Sequence, residues 1–144
     1  MRYYGFANFM LSSVQQGVQN FHVCHELFNK YFVSSSGAAK VLHEWSVNHK
    51  TAVFLNGGNA AGLRNVYDQL TAFGDELCLP YAKFHEDEDS LDNTMTACGI
   101  VVPTAIVDLA QAMRESTGWW NANLRHTDSE VALASFLNQF QLAR

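Results

Sequence analysis

The chain has 144 residues, 48% of them hydrophobic and 16% charged, which suits one domain with a real core and argues against disorder. Its formal net charge of -5, with nine Lys and Arg in no basic run, argues against broad electrostatic binding of nucleic acid and leaves room only for a local basic patch. Apolar runs are of strand length, so no membrane span is predicted, and Arg2 leads straight into a strand rather than a secretory h-region.

Tyr3 to Met10 reads as a short buried strand. Ser13 stands three residues before Gln16, the spacing of a capping box that opens a helix. Along that helix Gln15, Gln19 and His22 recur at i, i+4 and i+7, with Val14, Val18, Phe21, Leu27, Phe28 and Tyr31 supplying apolar surface around them. The plain reading of such a polar stripe is a solvated helix face. Its place at a strand-to-helix turn is also where open α/β sheets bind ligands.

Ser34-Ser35-Ser36-Gly37 breaks the chain, and Ser36 caps a short helix whose apolar face is Ala38, Val41, Leu42 and Trp45. Thr51 to Leu55 is a strand ended by Asn56-Gly57-Gly58. Asn59 caps a third helix with Leu63, Val66, Tyr67 and Leu70 inward and Gly74 as its stop. Pro80 to His85 alternates like a half-buried strand, Glu86 to Asn93 is an acidic turn, and Thr96 to Val102 is a buried strand. Pro103 ends that strand and starts a helix carrying Ile106, Val107, Leu109, Ala110 and Met113.

This order predicts an α/β fold, a mixed and mainly parallel four-stranded sheet flanked by helices on both faces, over residues 1–113. Residues 114–144 form a helical extension packed on the same domain. Thr127 and Glu130 make its capping box, followed by Val131, Leu133, Ala134, Phe136, Leu137 and Phe140. Trp119 and Trp120 in its connection offer a surface for a homodimer or another partner. Cys24, Cys78 and Cys98 are odd in number, with no CxxC pair, and read as reduced thiols of a cytoplasmic protein.

In element order and spacing, residues 2 to 113 resemble the type 2 peptidyl-tRNA hydrolases. Gln19 and His22 keep that family's Gln-x-x-His spacing, and Trp45, Tyr67, Gly74 and Pro103 fall in matching places. The family lysine seven residues before the histidine is Gln15 here. The family's Asp-Ala-Gly-x-Thr signature finds its best match in Glu86-Asp87-Glu88-Asp89-Ser90, and a later family threonine corresponds to Thr96. The C-terminal extension lies outside the compact family domain.

The resemblance implies hydrolysis of the ester that joins a peptide to the terminal ribose of tRNA, with tRNA or another nucleotide-containing ligand as partner and neither cofactor nor metal. Such chemistry needs a positioned water, a base and donors for the developing oxyanion. By that carry-over His22, Glu86, Ser90 and Thr96 are catalytic. Glu86 acts as base or holds His22 in its working tautomer, and Ser90 or Thr96 donates to the tetrahedral intermediate. Gln15, Gln19 and Lys83 bind substrate. No serine-nucleophile elbow suggests a covalent route.

Other readings of the same residues stand beside this one. His22, His25, Glu26, His85 and Glu86 form a metal site if the first helix meets the end of the third strand, although the His-Glu-x-x-His spacing is missing. His43 and His49 read as surface histidines. The run Glu86 to Asp89, with Asp92, reads equally as a solvated turn, and it repels phosphate by about 1 kcal/mol or more per close charge. That conflict opens a second class of function: a non-catalytic protein on the same fold that holds a nucleotide, an RNA end or a protein partner. A structural homodimer is a third.

Overall fold

The computed structural model describes residues 1–86, 93–115 and 125–143. Its elements are β1 (Arg2–Ala7), α1 (Ser13–Tyr31), α2 (Gly37–Glu44) running into a π-helical turn (Trp45–His49), β2 (Ala52–Asn56), α3 (Ala60–Leu77), β3 (Tyr81–His85), β4 (Met95–Val102), α4 (Thr104–Glu115) and α5 (Asp128–Leu137). Ser90, Trp119 and Trp120 lie outside the described residues.

The four strands form one open mixed sheet in the order β2-β1-β4-β3. It is not mainly parallel. Only β1 and β2 pair parallel, whereas β4 runs antiparallel to both β1 and β3. The connection between β3 and β4, residues 86–94, is too short for the dozen or more residues a parallel crossover needs, so the two strands must form a hairpin-like pair. β2 sits at the edge of the sheet, and of its five residues only Leu55 is buried.

Alternation along the central strands divides the core in two. Tyr4, Phe6, Cys98, Ile100 and Val102 face α3, α4 and α5. Tyr3, Ala7, Ala97 and Val101 face Val23 and Leu27 of α1 and Leu42 and Trp45 of the α2 segment. Helices therefore cover both faces. The C-terminal residues close over the β2 edge: Asn56 N–H donates to Gln141 O at 2.9 Å and Ala143 N–H to Phe54 O at 2.9 Å. Bridging an edge in this way satisfies groups that would otherwise invite pairing with another chain. Among the described residues no helix is long and apolar enough to cross a membrane.

Ser36, Asn59 and Thr127 cap their helices as expected. The first strand ends at Ala7 rather than running to Met10, which is exposed, and two helix boundaries differ. The first capping box is Ser12 with Gln15, one residue earlier than the Ser13–Gln16 pair. Gly74 does not stop α3; the helix runs on to Leu77, and Cys78 adopts the left-handed cap at φ 52°. Gly74 is needed for packing instead, because a Cβ there would overlap the Tyr81 ring.

Candidate functional site

The site depends on how closely α1 is seated on the sheet. Gly5 and Gly99 face each other across β1 and β4, leaving a hollow without side chains. Asn20 fills the space over Gly5 and the Tyr3 ring the space over Gly99, where any Cβ would overlap them. Tyr3 Oη donates to Asn20 Oδ1 at 3.0 Å, Asn20 Nδ2 donates to Gln16 O at 2.9 Å, and Gln16 Nε2 donates to Leu11 O at 2.8 Å. Gln16, Gln19 and Asn20 are thus buried, while Val14, Val18 and Phe21 are exposed. The N-terminal half of α1 is turned polar side in. Its missed signal was the helical spacing itself: the apolar positions Val23 and Leu27, continued backward by turns, land on Asn20, Gln19 and Gln16.

Beyond Asn20, Gln19 joins two parts of the sheet. Thr96 Oγ1 donates to Gln19 Oε1 at 2.6 Å, and Gln19 Nε2 donates to Glu86 Oε1 at 2.6 Å. A β-bulge makes this possible. Phe84 pairs with Ala97 but His85 pairs with Met95, so Thr96 is the extra residue on β4. In a regular strand Thr96 would point away from the face used by Ala97; the bulge turns its hydroxyl toward α1. The amide orientation follows from charge. A carboxylate only accepts, so Glu86 faces the NH2 end and the carbonyl end takes the Thr96 proton.

His22, one helical turn beyond Gln19, lies on the same side of α1. Its ring stacks on Phe84 with centroids 4.5 Å apart and planes at 17°. Phe84 stands two residues before Glu86, so the imidazole and the carboxylate border one region at the end of β3. No hydrogen bond joins them among the described residues. Glu86 engages Gln19 instead, so the expectation that Glu86 fixes the His22 tautomer directly does not hold here. Phe84 was missing from the expected set, although the alternation of β3 already put it on the α1 face.

Three expected roles change. Thr96 spends its only proton on Gln19 and is 1% exposed, so it has nothing to donate to an intermediate. Gln15 gives its carbonyl oxygen to the cap, accepting from Ser12 N and Ser12 Oγ, each at 3.0 Å. Lys83 alternates with Phe84 and points to the other side of the sheet, its Nζ 4.8 Å above the Tyr67 ring on α3. Ser90 lies outside the described residues.

The alternative metal cluster does not assemble. Among the described residues no group of three or more His, Cys, Asp or Glu could hold an ion. His85 is committed to the turn, with Nδ1 at 2.9 Å from Asn93 O. Nor is a thiolate at hand: burial pushes the Cys24 thiol up to about 11, and burial holds Cys98 well above its usual range. What the region offers is an acceptor carboxylate, an imidazole, an amide with one N–H left over, and an aromatic wall.

No protein-family model matches the chain, and no curated protein matches it.

Proposed function

We propose that this region hydrolyses an ester of the peptidyl-tRNA kind by direct attack of water. One observation carries the reading: Gln19, locked by Thr96, holds Glu86 on the side of α1 that bears His22. The order of elements and the Gln19-x-x-His22 spacing support it through the family resemblance. The His22 imidazole takes the proton of the attacking water, and the imidazolium returns it to the ribose oxygen as the ester C–O bond breaks, leaving free tRNA and a peptide carboxylate. Glu86 keeps one oxygen on Gln19 and turns the other toward that water, so its contribution is orientation. The second hydrogen of Gln19 Nε2 serves the developing oxyanion, a role that preorganised N–H donors fill well. Phe84 limits where the imidazole can swing.

The test uses the full chain and an N-acetylated aminoacyl-tRNA. Release of free tRNA that disappears in His22→Ala and in Glu86→Gln is the expected result. Glu86→Gln still accepts from Gln19, so it tests charge with the local geometry kept. Loss by about 10²–10⁴-fold is the scale of a positioned base.

A second reading has its own support. Thr96 and Gln15, both expected to meet substrate, are occupied in hydrogen bonds within the chain. A site so committed suits binding without turnover. No tRNA release, together with retained RNA binding that weakens steeply with added salt, establishes that reading over hydrolysis.

A further inference from the structure

The outer face of α1 carries Val14, Val18, Phe21, His25, Phe28 and Phe32 at spacings of four and three, the repeat of a coiled-coil seam. Opposite the buried amides, this seam meets solvent. Val14 is 76% exposed, Phe21 68% and Phe32 83%, and Met10 and Val33 extend the apolar surface beyond the helix ends. With about 200 Å² for a bare aromatic side chain, the three phenylalanines of the seam alone leave on the order of 400 Å² uncovered. The valines and Met10 bring the stripe to roughly the 800 Å² per partner of a standard protein interface. A typical monomer's largest apolar patch is only about 300–600 Å².

We propose that this face pairs with the same face of a second copy, the two α1 helices running antiparallel. Size complementarity sets the direction. Antiparallel pairing about a two-fold axis outside the seam, level with position 23 along the helix, puts Val14 against Phe32, Val18 against Phe28, and Phe21 against His25, a smaller side chain facing a larger one in each layer. Parallel pairing would set phenylalanine on phenylalanine, valine on valine, and the two His25 rings together.

A groove of about 610 Å³ between α1 and α2, lined by Phe28, Tyr31, Phe32 and Leu42 among others, lies at the C-terminal end of the seam. In the antiparallel arrangement the partner's Phe9–Met10 turn arrives there, and Met10 is 74% exposed. Charge argues against a membrane as the occupant. Interfacial helices flank their apolar face with Lys and Arg, whereas this seam is bordered by Gly17, His22, Cys24 and Asn29, the groove at its end sets Glu44 beside its one lysine, Lys40, and the chain carries a net charge of -5. The interface differs from the one expected in the C-terminal extension and does not depend on the hydrolytic reading.

Light scattering on the full chain across a wide concentration range should give twice the monomer mass. Phe21→Lys, a change at an exposed position that leaves the fold intact by circular dichroism, should weaken dimerisation by about 30-fold or more. Direction is read by mixing Val14→Cys with Phe32→Cys under mild oxidation. A mixed disulfide between the two variants is expected, and no self-linked Val14→Cys beyond the background of the native cysteines. The proposal is overturned by a monomer at every concentration, by a dimer indifferent to Phe21→Lys, or by self-linked Val14→Cys. A monomer that moves to phosphatidylserine-containing vesicles overturns it in favour of a lipid surface.

Discussion

α1 and α3 are of similar length, 19 and 18 residues, and lie on opposite faces of the same sheet, yet they bury opposite kinds of side chain. α3 puts Leu63, Val66, Leu70 and Gly74 inward, an ordinary amphipathic helix. α1 puts Gln16, Gln19 and Asn20 inward before reaching Val23 and Leu27. Buried amides cost free energy unless every donor and acceptor is paired. Among the described residues no buried side-chain nitrogen or oxygen lacks a partner. The apolar layer under α3 therefore supplies stability, while the paired amides under α1 supply position.

Leu70→Ala should separate the two roles most strongly. Leu70 is fully buried, and truncating such a side chain costs about 2–5 kcal/mol. Urea unfolding should show that loss, while tRNA release per folded molecule stays as in the parent. A large fall in activity of the folded fraction would mean that the two faces are not independent.

Thr96→Val makes the reverse cut on the α1 side. Valine preserves shape but leaves Gln19 Oε1 without its donor, a cost of about 1–3 kcal/mol for a buried acceptor. The freed amide loses the constraint that aims Nε2 at Glu86. Because the hydroxyl orients Gln19 rather than meeting substrate, Thr96→Ser should restore most of the rate. If Thr96→Ser stays as slow as Thr96→Val, the positioning role is wrong.

Much of this division was legible in the amino-acid order, and the illegible part has definite causes. The apolar periods of α3 and the caps at Ser36, Asn59 and Thr127 are local signals that the tertiary structure leaves intact. The first cap was ambiguous because Ser12–Gln15 and Ser13–Gln16 both satisfy the capping-box spacing. Polarity misled on α1, where Gln16 and Asn20 are buried because the Gly5 and Gly99 hollow draws the helix close. The sheet direction differs because the strand-helix alternation of β1, β2 and β3 outweighed the short link between β3 and β4, whose length excludes a parallel crossover. At the candidate site, helical spacing already put Gln19 and His22 on one side of α1 and the family resemblance brought in Glu86, whereas the bulge that turns Thr96 inward depends on pairing register and leaves no mark in a single strand.

The smallest effect is a pH dependence that tests how dry the α1 side is. Burial raises the Cys24 thiol from 9.0 to about 11, and burial likewise raises the Tyr3 hydroxyl beside it. Between those pH values the unfolded chain has lost the Cys24 proton while the folded chain still holds it. The folded state then binds more protons, so stability is full below pH 9 and falls as pH rises through the folded value. Cys24→Ala removes this contribution along with some packing. Its unfolding free energy should therefore start lower at neutral pH but decline less steeply between pH 9 and about 11 than that of the parent. Every other ionisable group is common to both proteins, so the difference in slope reads the contribution of the thiol. Parallel slopes would show that water reaches Cys24, and that the seat of α1 over Gly5 and Gly99 is looser than its hydrogen bonds require.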